Sequence, residues 1–238
     1  KISTIVVTHD SYEAFYLGYT LKHWNKHPRE LSPTVCGRIP TRFNRDDSYV
    51  DAKFQLMPKD GYTSMFGKMI SNPRIKVCLN TDFDSVRKQI KPNIATLYTG
   101  PIDAYFEDVF GKLPWRSLRF RWKTFEQEFV QPCVQINYPN ENTYTRSVEI
   151  KHVTKQQCSK STISYEYPQS NGSPYYPIPS EQSKETYLKY KALAVDEQSK
   201  NNVFFAGRLA EYTYVNTDQA ISRGMDVFSE ICREIIKP

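Results

Sequence analysis

The hydrophobic period changes along this chain, and that change limits the fold more than any other feature. Over residues 11–27 Tyr12, Phe15, Tyr16 and Tyr19 stand at i, i+3, i+4 and i+7, with Asp10 or Ser11 as cap and Pro28 to end the helix. From residue 118 the period falls to two: Leu118, Phe120 and Trp122 alternate with Arg119, Arg121 and Lys123. Strand-like runs follow at 134–138, 145–152 and 162–167. Helical spacing returns over 181–196 and 217–236, around a short apolar strand at 203–206. Ahead of the alternating block the pattern predicts helices at 62–71, 84–90 and 102–110 and strands at 75–79 and 95–98. Strands in series flanked by helices define an α+β chain, its strands an antiparallel meander with one wet face.

Composition removes several functions. At 39% hydrophobic and 24% charged the chain is too apolar for disorder and too polar for a membrane protein. The run at 2–7 is too short for a signal peptide, and no stretch reaches the ~18 apolar residues of a membrane span. The five cysteines (Cys36, Cys78, Cys133, Cys158, Cys232) show no Cys-x-x-Cys spacing, so free thiols in a reducing compartment are expected. The nine glycines form neither Gly-x-Gly-x-x-Gly nor a P-loop. His23 and His27 have metal-ligand spacing, but a polar helix end explains them without a metal. Nothing resembles an activated Ser or Cys nucleophile. A net charge of +6 and the run Trp115-Arg116 to Trp122-Lys123 admit nucleic-acid binding, although the outer face of an amphipathic strand looks the same. Seventeen Tyr beside many Arg supply parts suited to a diphosphate: Arg forks as bidentate donors, Tyr hydroxyls as neutral ones.

A set of words then resembles the UDP-galactopyranose mutase family. They are Gly18-Tyr19-Thr20-Leu21-Lys22-His23-Trp24, Gly37-Arg38-Ile39-Pro40-Thr41-Arg42-Phe43, Pro58-Lys59-Asp60-Gly61-Tyr62-Thr63 and Tyr98-Thr99-Gly100-Pro101-Ile102-Asp103. Phe110-Gly111-Lys112-Leu113 with Arg116-Ser117-Leu118, and Tyr144-Thr145-Arg146 with Glu149, Lys151 and His152, continue the order. Pro174-Tyr175-Tyr176-Pro177 and Gly207-Arg208-Leu209-Ala210-Glu211-Tyr212 complete it.

The resemblance implies a flavin-dependent isomerase that interconverts UDP-galactopyranose and UDP-galactofuranose for cell-surface polysaccharide, lipopolysaccharide included, in the cytoplasm. Reduced FAD supplies the nucleophile, and the protein positions it and holds the leaving diphosphate. Carried over residue by residue, Arg38 and Arg146 are the catalytic arginines at the diphosphate. Tyr19 lies near the uracil, Trp24 beside the substrate, and Tyr49, Tyr176 and Tyr214 at the phosphates. Gly100, Pro101, Arg208 and Asn216 belong to the cofactor. The chain departs from the family at Val215 and Asn216, where the pattern is Tyr-Asp, and at Ile150, often His. It begins at Lys1 and lacks the family's glycine-loop segment. It is therefore expected to be N-terminally incomplete and not to hold FAD tightly by itself.

The implied domains are a part of a helical substrate-gating domain with its mobile loop (1–55), an FAD-binding remnant of Rossmann-like type (56–112 and 200–238), and an antiparallel-sheet substrate domain (113–199). The implied partners are UDP-galactose and UDP-galactofuranose, with no nucleic acid and no membrane, and a second copy of the chain in a homodimer. Two other readings stay open: a remnant that binds a sugar nucleotide or a protein without flavin, and a nucleic-acid-binding protein.

Overall fold

The structure is a computed structural model that describes residues 4–6, 17–33 and 53–235. Arg38, Tyr49, Cys36 and the first turns of the helix expected over 11–27 lie outside the described residues. The chain forms two compact units: residues 1–78 with 116–173, and residues 79–115 with 174–238. These bounds cut the chain differently from the domains expected above; residues 181–201, for instance, fall in the second unit, apart from the sheet.

The first unit holds a sheet and, among its described residues, the short helices α1 (Tyr19–Trp24), α2 (Gly61–Met69) and α5 (Lys151–Thr154). Its strands are β1 (Thr4–Val6), β3 (Trp115–Phe125), β4 (Gln135–Asn137), β5 (Arg146–Val148) and β6 (Ser161–Gln169), where β2 denotes a strand of the second unit. Their order is β1-β4-β5-β6-β3. Only β4, β5 and β6 form a meander; β3 returns to pair with β6, from Ser117 opposite Gln169 to Phe125 opposite Ser161. The simple four-strand series is thus corrected. So is the purely antiparallel sheet, because β1 joins β4 in parallel, Ile5 opposite Ile136. That pairing joins segments far apart in sequence, and a three-residue run carries no periodicity to announce it.

The one-wet-face pattern holds for only part of β3. Beyond Trp122 the β3–β6 ribbon outruns β5, and Trp122 itself, apolar by pattern, is 68% exposed. Arg116, expected on the basic outer face, is buried; its Nε donates to the His23 carbonyl at 2.7 Å and its Nη1 to Ser170 Oγ at 2.6 Å. The basic strand face therefore loses its first member, which weakens the nucleic-acid reading.

The run expected as one strand over 145–152 ends at Val148, and α5 (Lys151–Thr154) follows. The reason is polar and buried. Glu149 is fully buried, and its carboxylate accepts the N–H groups of Val130 (3.0 Å) and Gln131 (2.8 Å) and lies 3.3 Å from His152 Nε2. Lys151 donates to the carbonyls of Glu128 (2.8 Å), Cys158 and Lys160. A continuing strand would tear these groups from their partners, at the cost of unsatisfied buried charge.

Helix α1 (Tyr19–Trp24) stops at Asn25, which adopts a left-handed conformation with φ 55° and returns its N–H to the Leu21 carbonyl. The stop therefore comes before Pro28. His27 has a different use: its side chain accepts the Arg29 N–H at 3.2 Å and caps the turn Pro28–Glu30. Among the described residues no group of His, Cys, Asp and Glu could hold a metal. The residues expected as a strand at 75–79 form none and are exposed; among the described residues no strand pairs with them. Before them runs α2 (Gly61–Met69), which buries none of its residues.

The second unit is built on two parallel strands, β2 (Thr96–Tyr98) and β8 (Val203–Phe205), paired Tyr98 to Phe205. Its helices are α3 (Phe83–Val86), α4 (Ile102–Tyr105), α6 (Glu181–Asn201) and α7 (Thr217–Glu234), and Tyr176–Pro177 is a short strand, β7. The helix expected over 102–110 ends early because Glu107 and Asp108 take positive φ. The apolar core sits here. Ile102, Leu113, Tyr190 and Ala194 form one cluster, Tyr98, Tyr105 and Val203 another, and Phe204, Ala206 and Val227 a third. Burial of this kind contributes about 1.5–3 kcal/mol for each large side chain. The four described cysteines are free, and no helix among the described residues is long and apolar enough to cross a membrane.

Candidate functional site

In the first unit the sequence-predicted residues Tyr19, Trp24 and Arg146 come together. Arg146 projects from β5 and donates from Nη2 to Tyr19 Oη at 2.9 Å. Tyr19 stacks on His23 with ring centres 5.6 Å apart, and His23 meets Trp24 edge-on at 5.0 Å. Trp24 and His23 are buried. The cross-strand partner of Arg146 is Glu166, and Glu166 Oε2 lies 3.5 Å from Arg146 Nε. Burial pushes the Glu166 carboxyl above its ordinary pKa, and the Arg146 charge pulls part of that back. Sequence reading missed Glu166. Its signal is the register alone, because it becomes a candidate only once β6 is known to place it opposite Arg146.

The other face of the sheet carries Tyr138, Tyr144, Tyr165 and Tyr167 in edge contacts of 4.9–5.7 Å, with Arg119 4.8 Å and Arg121 5.3 Å from the Tyr167 ring centre. Burial pushes the Tyr144 phenol up to about 12. Arg119 and Arg121 thus point away from the Arg146 row, since residues on alternate positions of paired strands share a face.

A second cluster lies in the second unit and unites Tyr176, Tyr214 and Arg208. The two rings stack in parallel, 5.7 Å apart with 4° between planes. The Arg208 guanidinium sits 4.3 Å from the Tyr214 ring centre and 5.9 Å from that of Tyr176. It donates to the carbonyls of Tyr175 (3.0 Å) and Val215. Arg208 leaves β8 through Gly207, whose φ of +94° disfavours any side chain and which has no atom within 4 Å of a would-be Cβ. Gly100 and Pro101 leave β2 at the same end, because the strands are parallel and paired Tyr98 to Phe205. In open α/β sheets ligands bind at this carboxyl end. Asn216 caps α7 and donates its N–H to Gln219 Oε1 at 2.8 Å. Tyr98, Thr99, Gly100 and Pro101 also line a cavity of about 430 Å³ whose other walls include Asp82 and Asp84.

Each unit therefore offers an arginine held beside tyrosine hydroxyls or rings, a set of donors whose chemistry suits phosphate oxygens. The chain belongs to the UDP-galactopyranose mutase family, whose sequence model matches residues 14–214. It is 34% identical over 229 residues to a probable UDP-galactopyranose mutase of Klebsiella pneumoniae, covering 94% of this chain and 58% of that protein. It is 33% identical over 235 residues to dTDP-fucopyranose mutase of Escherichia coli, covering 92% of this chain and 60% of that protein. Its fold is similar to that in a crystal structure of reduced UDP-galactopyranose mutase, with a TM-score of 0.59 at 11% identity over 95% of this chain and 65% of that one. The chain thus spans about 58–60% of the length of these two curated relatives.

Proposed function

We propose that the protein interconverts the pyranose and furanose forms of a nucleoside-diphosphate sugar, with UDP-galactose as substrate and FAD as cofactor. The supporting observation is Arg146, a strand-borne arginine that already holds the Tyr19 hydroxyl at 2.9 Å on a helix that also carries Trp24. A planar fork of this kind takes a diphosphate oxygen pair, while the aromatic residues beside it suit a flat base. Arg38 is the second diphosphate arginine, and Tyr49, Tyr176 and Tyr214 donate to phosphate oxygens. The dTDP-fucopyranose mutase similarity extends the substrate class to deoxythymidine diphosphate sugars.

The second unit is the C-terminal portion of the flavin domain. Its parallel strands and open Gly207 turn fit a flat cofactor at the strand ends, and Gly100, Pro101, Arg208 and Asn216 would hold it. When bound, reduced flavin supplies the electron pair that displaces the nucleoside diphosphate from the anomeric carbon. The chain's own part is to bind and neutralise the leaving diphosphate: charge builds there in the transition state, and fixed donors need no reorganisation to meet it. A flavin-free remnant that binds a sugar nucleotide or a protein partner is the second reading. Action within the cytoplasm and a homodimeric state also remain proposals.

UDP binding to the 238-residue chain tests the site. Calorimetry is expected to show one UDP per chain. Its affinity should rise as pH falls through the raised Glu166 titration, since a neutral Glu166 no longer competes for Arg146. Glu166→Gln is expected to abolish that component and leave only the ionisation of UDP itself. No UDP binding at any pH would contradict the assignment.

A further inference from the structure

Lys22 stands within the word Gly18–Trp24 but carries none of the ligand roles named above, and it makes a distinctive pair of contacts. It stands three residues after Tyr19 and two before Trp24 on α1. Its half-buried ammonium donates to the carbonyls of Tyr138 and Tyr144, the latter at 3.3 Å. Those carbonyls flank the point where the chain leaves β4 and enters β5. Tyr138 follows Asn137, the register partner of Arg146, and its own N–H donates to the Thr145 carbonyl at 2.8 Å.

Besides Arg116, which donates from β3 to the His23 carbonyl, two cations reaching in opposite directions tie helix and sheet. Lys22 reaches from α1 to the strands, and Arg146 reaches from β5 to Tyr19. The two ties differ in kind. The acceptor for Arg146 is a phenolic hydroxyl, which an anionic ligand can outcompete for the guanidinium. The acceptors for Lys22 are main-chain carbonyls, which no ligand replaces. Helix α1 has only six residues and cannot persist without such ties. Burial also lowers the Lys22 pKa, with Glu141 offsetting part of the shift, so this position carries a desolvation cost that an exposed lysine would avoid.

We propose that Lys22 is a positioning residue: it keeps α1 in register on the sheet, so that Tyr19 and Trp24 stay in place when Arg146 exchanges Tyr19 for a diphosphate. This rests on the UDP-binding reading above. It makes a specific demand. With uridine bound, Arg146 still holds Tyr19 and the second tie is redundant. With UDP bound, Arg146 is engaged and Lys22 is the tie that remains from this pair.

The test compares wild-type chain, Lys22→Met, Lys22→Gln and Lys22→Arg for UDP and uridine affinity, with amide hydrogen exchange over Tyr19–Trp24 in the free chain and with UDP. Lys22→Met is expected to weaken UDP roughly tenfold, the scale of one charge-assisted hydrogen bond, and uridine about twofold or less. Exchange in α1 should quicken most in the UDP complex, and Lys22→Arg should restore part of both effects. Should Lys22→Met fail to fold, the Arg and Gln variants carry the same comparison. Unchanged UDP affinity in a chain that binds UDP would overturn the positioning role and leave the site assignment intact. Equal losses for UDP and uridine would reduce Lys22 to a general structural contact and also overturn it. A wild-type chain that binds no UDP would remove the site assignment, and this proposal with it.

Discussion

Arg146→Ala is expected to weaken UDP binding to this chain by roughly ten- to a hundredfold, the value of one or two charge-assisted hydrogen bonds at about 1.5–3 kcal/mol. The loss has two parts. The guanidinium fork disappears, and Glu166, 3.5 Å from it, is left as a carboxylate whose pKa burial already raises. Arg146→Lys should recover only part, because an ammonium cannot span two oxygens in a plane. Arg119→Ala and Arg121→Ala are the controls. Both side chains are exposed and lie over Tyr167 on the opposite face, so each should bind UDP within about twofold of wild type. Titration calorimetry at one pH and ionic strength measures all of them. An Arg146→Ala chain that matches the two controls would remove the arginine from the site.

Glu149→Gln is expected to be the most destabilising single change, by about 3–5 kcal/mol, as for one partner removed from a buried charged network. The carboxylate takes the Val130 and Gln131 N–H groups, and His152 lies beside it. An amide would turn two hydrogens toward those donors or flip and lose one of them. Burial by itself would raise the Glu149 pKa. The Ser161 hydroxyl and the Gln131 and Val130 N–H groups outweigh it, so the carboxyl titrates below its ordinary value of 4.5. The sign follows from linkage: the contribution is full above about pH 4.5 and is lost as pH falls through the depressed value. Thermal unfolding from pH 7 to pH 3 should therefore show a steeper loss on the acid side in wild type than in Glu149→Gln. Parallel curves would mean that the carboxylate is not the group that pins 128–131 to 149–152.

These two residues also show how far a sequence can be read. The alternation of Leu118, Phe120 and Trp122 announces β3, because a two-residue period has one simple structural meaning. Val148-Glu149-Ile150 continues the same alternation and misleads, since what ends the strand is a set of partners 18–23 residues upstream and 7–9 residues downstream that no local pattern encodes. The contact between Arg146 and Tyr19 spans 127 residues, and the family's words name both residues without joining them. Glu166 and Lys22 show the limit more sharply. One becomes visible through strand register and the other through two main-chain carbonyls, and neither leaves any trace in spacing. Residues 75–79 fail in the opposite direction: their apolar composition is strand-like, but among the described residues no strand pairs with them.

The central claim concerns chemistry, and turnover tests it most directly. The native protein, reconstituted with FAD and reduced by dithionite under anaerobic conditions, should be incubated with UDP-galactofuranose and, in parallel, with dTDP-fucofuranose. The products are then separated by anion-exchange chromatography. The account predicts conversion of UDP-galactofuranose to UDP-galactopyranose that requires reduced flavin. Faster conversion of the deoxythymidine sugar would shift the substrate within the same class. No conversion of either, by protein that has bound flavin and binds UDP, would contradict the mutase assignment.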